Sequence, residues 1–257
     1  MKFHDQTEMG GTRGAFLTTH WSLIEDVKAS SDKDKALIGL LLQTYWKPVY
    51  CYLRRKGRDN EQAKDLTQDF FHEVVLNRHL VGRADKSKGR FRSFLLYTLN
   101  QYLINHDRDN SAQKRIPGKK LASLDTTEIP DLPESFSTAK AEDSFHYAWL
   151  SSLLEHVVAQ VKNTCKENDM EIHWAIFKER VLEPILCASE SVSLTELCER
   201  HGIEDTKKAS NMIVTVKRRF RSVLMEHVRN TVISDEQATE ELQYLLQFLP
   251  ENAQRQE

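Results

Sequence analysis

The chain has 257 residues, with 36 Lys and Arg against 38 Asp and Glu and a formal net charge of −2. Over the whole chain, this near-neutral balance argues against a simple basic nucleic-acid binder. A hydrophobic content of 40% with 29% charged residues is typical of a folded protein and excludes a disordered one. Only 9 Gly and 6 Pro disfavour an all-β sandwich or barrel, so we expect an all-α fold.

The N-terminal tail and the cysteines favour a cytoplasmic protein. Residues 1–17 are polar and lack the apolar core of a signal peptide, and the longest apolar run, Leu37–Leu42, is too short to span a bilayer. None of the cysteines forms a Cys-x-x-Cys pair, which indicates reduced thiols. Cys198 and His201, with Cys187 upstream, only weakly resemble a zinc site, so we expect no metal and no cofactor.

Helical periodicity dominates the first part of the chain. Thr18 and Thr19 offer cap hydroxyls for a first helix, and Asp34 can begin a second one. Pro48 is expected to end or kink this second helix near Trp46, because proline lacks the backbone N–H that a helix interior needs.

A short acidic helix is expected next, capped by Asp59 or Asn60. Its apolar stripe is Ala63, Leu66, Phe70 and Val74. Its other face is polar, with Asp65, Gln68 and Asp69. From residue 59 to residue 73 there are five acids against one base, a net −4. A solvated face is the ordinary interpretation of such a surface.

A basic segment follows, with a helix expected from about Phe91 to His106. Between Arg78 and Lys120 there are eleven Lys and Arg against three Asp, a net +8. Four aromatic residues are interleaved with these bases: Phe91, Phe94, Tyr97 and Tyr102. Bases beside aromatic rings suit single-stranded nucleic acid, where unpaired bases stack and phosphates are neutralised. Helical spacing favours core packing for several of these rings, however.

Residues 116–144 change in character and predict a linker. They contain Pro130 and Pro133, and from residue 121 to residue 150 six acids face one Lys, a net −5. Helical patterning resumes near Phe145, where Trp149, Leu153, Val157 and Val161 repeat at intervals of four. A further amphipathic stretch is expected to end at Pro184. We therefore expect two helical domains joined by an acidic, proline-containing linker.

The segment from Ser193 to Leu224 predicts a helix-turn-helix. Ser193 can cap a short helix that ends at Gly202, and Asp205 or Thr206 can cap a longer helix. From residue 205 to residue 230 there are seven Lys and Arg against two acids, a net +5. The residues suited to base edges are Lys207, Lys208, Ser210, Asn211, Thr215 and Arg218. Those suited to phosphates are Lys217, Arg219, Arg221 and Arg229. A plain helical hairpin with a solvated basic face is the alternative.

Residues 233–257 form an acidic extension, with a net −5 from residue 235 onward. Four leucines in it predict one more short helix: Leu242, Leu245, Leu246 and Leu249. The sequence assigns this extension no role.

Short motifs spread along the chain carry a family resemblance. They are Thr19-His-Trp-Ser-Leu-Ile, Tyr45-Trp-Lys-Pro-Val-Tyr, Asp65-Leu-Thr-Gln-Asp-Phe-Phe, Gly89-Arg-Phe-Arg-Ser-Phe-Leu-Leu, Ala112-Gln-Lys-Arg, and Ala209-Ser-Asn-Met-Ile-Val-Thr-Val-Lys-Arg-Arg-Phe. With them, the chain resembles RNA polymerase sigma factors of the sigma-seventy family, extracytoplasmic-function type. It is most similar to a subgroup associated with planctomycetes and related bacteria, over roughly residues 18–249.

The resemblance implies a sigma-two domain over residues 18–115 that binds core RNA polymerase and the minus-ten promoter element. The contacts to the clamp coiled coil of the polymerase would be Asp65, Gln68, Asp69 and Phe70. Those to minus-ten DNA would be Arg90, Arg92, Asn100, Asn105, Arg108, Lys114 and Arg115.

The resemblance also implies a sigma-four domain over residues 145–232 that meets the polymerase flap and reads the minus-thirty-five element. Its DNA contacts would be Lys207, Lys208, Ser210, Asn211, Thr215, Lys217 and Arg218. The linker would thread along the polymerase between the domains. An anti-sigma factor or other regulator would be a further partner, which the sequence does not identify.

The sequence also bears on two other classes of function. A stand-alone helix-turn-helix transcriptional regulator would need only the C-terminal half, and would have no use for the acidic helix or the aromatic and basic segment. An enzyme would need a catalytic constellation, and the chain has no Gly-rich phosphate loop, no His-Glu-x-x-His and no Gly-x-Ser-x-Gly motif. We therefore expect no catalytic residues.

Overall fold

A computed structural model describes residues 34–73, 83–85, 89–113, 140–187, 190–232 and 234–248. The regular structure in these ranges is helical, and no strand occurs within them, which confirms the all-α prediction. The helix predicted at Thr18, the tail of residues 1–17, most of the linker, and both Lys114 and Arg115 lie outside the described residues. Every helix in the described part of the chain is too short or too polar to span a bilayer.

Within the described residues, the α-helices of the first half are α1 (Asp34–Arg55), α2 (Asn60–Phe70) and α3 (Phe91–Gln113). Helix α1 passes through Pro48 to Arg55, so it does not end near Trp46, and the alternative of a kink there stays a prediction. Pro48 is itself buried, and Val49 and Tyr52 beyond it have 0% exposure. Burial of this last turn outweighs the backbone hydrogen bond that the proline removes.

A tight turn joins α1 and α2. Gly57 adopts φ +83°, a left-handed conformation that glycine accommodates without strain. The side chain of Asp59 then accepts a hydrogen bond from the backbone N–H of Gln62 at 2.8 Å, which caps α2. Helix α3 runs seven residues beyond the predicted end at His106, to Gln113.

The second half begins with the long helix α4 (Ala141–Glu167). Residues 141–144 were assigned to the linker, but they are helical, and Ala141 and Ser144 are buried. The Asp143 carboxylate accepts a hydrogen bond from the backbone N–H of Lys140 at 3.2 Å. This contact closes the first turn of the helix four residues earlier than expected.

The remaining helices are α5 (Glu171–Phe177), a π-helical turn (Lys178–Leu182), α6 (Glu183–Cys187), α7 (Leu194–His201), α8 (Thr206–Arg229) and α9 (Asp235–Leu246). Pro184 does not end the helical stretch as predicted. It is the second residue of α6, which continues directly from the π-helical turn, so the helical run passes through the proline to Cys187.

One hydrophobic cluster joins the two halves of the chain. Helix α1 packs along α4, and the rings of Tyr45 and Phe145 stack with centroids 6.3 Å apart. Trp149, Leu153 and Val157 lie in the same cluster with 0% exposure, which confirms the stripe predicted for α4. The two predicted domains thus share apolar contacts in this structure, and their boundaries stay a prediction.

A second, smaller cluster lies under the predicted helix-turn-helix. Its buried members are Ile176, Leu197, Cys198, Ile203 and Ala209. They come from α5, α7, the turn and the start of α8. This cluster sets how α7 and α8 cross.

Candidate nucleic-acid interface

The backbone of the predicted helix-turn-helix is built as its sequence indicates. Ser193 Oγ accepts a hydrogen bond from the backbone N–H of Glu196 at 3.2 Å, which caps α7. Gly202 ends this helix at φ 63°, and the N–H of Ile203 donates to the carbonyl of Cys198 at 2.9 Å. Asp205 caps α8 by accepting from the N–H of Lys208 at 2.7 Å.

An ion-pair cluster joins α7 to the π-helical turn that precedes it in the chain. Glu179 of the π-helical turn lies 2.5 Å from Arg200 Nη1 and 2.9 Å from His201 Nε2. Burial alone would raise the pKa of Glu179, but the hydrogen bonds from His201 and Arg200 outweigh burial and lower it below its ordinary value. Glu179 therefore stays ionised at neutral pH and ties the last turn of α7 to the helices behind it.

The outer face of α8 presents the side chains predicted to read DNA. The exposed ones are Lys207, Lys208, Asn211, Thr215, Lys217 and Arg218, while Ser210 is half-buried. The Thr215 hydroxyl donates to the carbonyl of Asn211 at 2.8 Å, so its proton is already used within the helix. Lys208 Nζ lies 3.2 Å from Glu204. The exposed side chains thus form one continuous polar and basic strip.

Two features of this face were missed from the sequence. Val214 is 40% exposed beside Asn211, and an apolar side chain there suits contact with a thymine methyl group. His173 of α5 lines an open cavity of about 480 Å³ together with Asp205, Lys207 and Asn211. Neither feature belongs to the polar and basic residues of α8 from which the sequence predicts DNA contacts.

Arg219, which the sequence predicts as a phosphate contact, is turned partly inward. It is half-buried, and its Nη1 lies 3.9 Å from Cys165 Sγ and 3.7 Å from Met170 Sδ at the corner of α4 and α5. Arg221 and Arg229 are exposed. One of the three is thus turned towards the body of the molecule.

Helix α3 exposes a mixed aromatic, apolar and basic stripe. Tyr97 is 64% exposed and Ile104 is 60% exposed, and the exposed Arg108 continues the same face. Asn105 is also exposed beside them. Of the other aromatics proposed for base stacking, Phe91 and Tyr102 are buried in the core and Phe94 is half-buried. Tyr97 is therefore the ring available to an unpaired base.

Three residues assigned to minus-ten DNA are engaged inside the protein. The side-chain oxygen of Asn100 accepts a hydrogen bond from the Tyr52 hydroxyl, so it links α3 to α1. Arg90 is 31% exposed and Arg92 is 3% exposed, and each forms an ion pair with Glu241. In this conformation all three side chains contact other side chains of the protein, and their assignment to minus-ten DNA stays a prediction.

The acidic face of α2 divides into exposed and buried parts. Asp65, Gln68 and Asp69 are exposed. Phe70 has 0% exposure, and its ring lies 5.6 Å from those of both Phe71 and Tyr102. In this structure Phe70 packs in the core, and its assignment as a direct polymerase contact stays a prediction. It anchors the helix so that the three polar side chains point outward.

The described residues contain no group of three or more His, Cys, Asp or Glu side chains that could hold a metal ion. In the weak zinc pattern on α7, the His201 ring is already hydrogen-bonded to Glu179. No protein-family model, no curated protein and no solved structure matches this chain.

Proposed function

We propose that this protein is an RNA polymerase sigma factor of the extracytoplasmic-function type, which binds core polymerase and directs promoter recognition. One observation supports the proposal most. A single chain exposes the acidic residues Asp65 and Asp69 on α2, the aromatic and basic stripe on α3, and the basic strip on α8. The first suits a protein partner, and the other two suit DNA.

The distribution of charge fits a protein with two kinds of partner. The net −2 is the sum of blocks of opposite sign, with −4 around α2, +8 around α3, and +5 along α8. Residues 121–150 and the C-terminal extension each carry a net −5. Such segregation steers different surfaces towards different partners and sets their register.

Each surface has a defined task in this proposal. The α2 face docks on a basic part of the polymerase clamp. On α3, Tyr97 stacks on an unpaired base, and Arg108 neutralises a nearby phosphate. On α8, Asn211 pairs with adenine and Arg218 with guanine in the major groove, while Lys217 meets the backbone. The chemistry of RNA synthesis belongs to the polymerase.

Charge reversal on α2 tests the docking surface. We expect D65R with D69R to lower co-purification with core polymerase at least about tenfold, because two attractive contacts become repulsive. The matched control is E155R with E167R, two exposed acids on α4, which should bind normally. Equal binding by both double variants would remove the docking assignment.

Transcription in vitro tests the function as a whole. Core polymerase with this protein should initiate on DNA taken from upstream of its own coding sequence, and core polymerase alone should not. The alternative is a stand-alone helix-turn-helix regulator, which the burial of Arg92 favours because it removes one contact from the α3 surface. Tight duplex binding without polymerase, combined with no initiation, would establish that alternative.

A further inference from the structure

The acidic extension places one carboxylate against two arginines at the N-terminal end of α3, Arg90 just before the helix and Arg92 in its first turn. Glu241 of α9 has 0% exposure, and its Oε2 lies 2.5 Å from Arg90 Nε. Its Oε1 pairs with Arg92 Nη1. The ring of Tyr244, one turn further along α9, lies 5.2 Å from the Arg90 guanidinium and 5.7 Å from that of Arg92. A carboxylate and an aromatic face of one helix thus cover the same two cations.

Several polar atoms of this buried cluster lack a hydrogen-bond partner within the described part of the chain. Neither Glu241 oxygen has the alignment of a hydrogen bond, and Arg92 Nε and Nη2 are buried without a hydrogen-bond partner among the described residues. Buried ion pairs with incomplete hydrogen bonding contribute little net stability. Two cations facing one carboxylate also leave one excess positive charge, whereas two backbone phosphates, one on each guanidinium, would neutralise both cations.

Helix α9 has the form of a detachable cover. It follows α8 after the short connection of residues 230–234, and one face carries the buried Ala238, Leu245 and Phe248. The opposite face is exposed, including Glu236 and Glu240. Lifting this cover therefore means detaching one amphipathic helix, which would move on a connection a few residues long.

We propose that α9 is a built-in cover that competes with nucleic-acid phosphates for Arg90 and Arg92. The inference rests on the proposed function, which places the N-terminal end of α3 at DNA. In the covered state Glu241 occupies the position of a phosphate, so free protein binds DNA weakly. Binding partners that lift α9 expose both guanidinium groups at once.

Binding of a fluorescent single-stranded DNA oligonucleotide by the full-length chain tests the cover. E241Q keeps the shape of the side chain but removes its charge, and it should bind about fivefold more tightly or better. Its affinity should also fall more steeply with salt, because two more phosphates are neutralised. E240Q, one residue away on the exposed face, is the matched control and should bind as the unaltered protein does. Equal affinities for all three chains, including no binding by any, would overturn the cover.

Hydrogen exchange on the unaltered chain supplies a test that needs no variant. Saturating oligonucleotide should speed amide exchange in residues 235–248, because the cover is displaced. Unchanged or slower exchange there would overturn the inference even if E241Q failed to fold.

These outcomes are distinct from failure of the proposed function, because neither measurement contains polymerase. Tighter E241Q binding without transcription would retain the cover and remove the sigma-factor assignment. Normal transcription with equal DNA affinities would retain the sigma-factor assignment and remove the cover.

Discussion

His146 shows how strongly one buried side chain responds to its neighbours. It lies on α4 under the cover helix, 7% exposed, with its ring 5.1 Å from that of Phe248. Burial, then the charges of Arg92 and Arg90, lower its pKa from 6.5 to about 3. The folded protein therefore holds this imidazole neutral where an unfolded chain would protonate it.

The stability of the protein should fall with acid for this reason. Below pH 6.5 the unfolded state takes up a proton that the folded state refuses until about pH 3. Within that window the free energy of unfolding drops by up to about 1.4 kcal/mol per pH unit from this group alone. H146F keeps an aromatic ring and should remove that part of the slope in urea unfolding series.

The comparison with the unaltered chain isolates His146, since both proteins share all other titrating groups. Parallel pH profiles for the two would contradict the lowered pKa. The residue scale also explains why several predicted contact residues are buried or paired inside the protein. Phe70, Arg92 and Asn100 have the side-chain chemistry expected of contact residues, but their environment comes from elements distant in the chain.

At the scale of elements, local signals were enough for helices with clear caps and stripes. Asp59, Ser193 and Asp205 each accept the backbone hydrogen bond that their positions predicted. The ends of elements were less predictable. Helix α1 passes through Pro48 and α4 begins at Ala141, because burial against other helices outweighs local preference.

Two variants in the outer strip of α8 separate the sequence specificity of DNA binding from its overall affinity. N211A should change the sequence preference of promoter binding by the polymerase complex, costing about 1–3 kcal/mol at one base pair. K217A should instead weaken binding to all sequences alike and reduce the salt slope by about 1. Both side chains are exposed on the same helix, so each variant controls for the other.

Selection from randomised duplexes, followed by titration at several salt concentrations, measures both effects. The same uniform loss for the two variants would mean that Asn211 contacts the backbone and reads no base.

For the whole molecule, the decisive feature is the core that α1 and α4 share. Phe145 has 0% exposure and stacks on Tyr45, so packing in the second half supports the first half directly. F145A should lower the free energy of unfolding by about 3–5 kcal/mol. Hydrogen exchange should show loss of protection in both helices together, since they are parts of one packed unit.

The control for this variant is I172A. Ile172 is 48% exposed on α5, so its truncation should change stability by no more than about 0.5 kcal/mol. Loss of protection confined to residues 141–167 of F145A would show that the two halves are energetically independent.

The sequence by itself determined the helical class, the main apolar stripes, the caps and the glycine turns. These depend on periodicity and on hydrogen bonds between residues a few positions apart, which any window of sequence contains. The polar strips on α2 and α8 were predictable for the same reason, because a residue on the face opposite an apolar stripe faces solvent.

Only the tertiary structure decided which of the basic residues are accessible. Arg90 and Arg92 are covered because Glu241, far along the chain, packs onto them through α9. Arg219 turns inward because Cys165 and Met170 lie beside it. The burial of a charge depends on contacts between distant segments, and composition and spacing carry no record of those contacts.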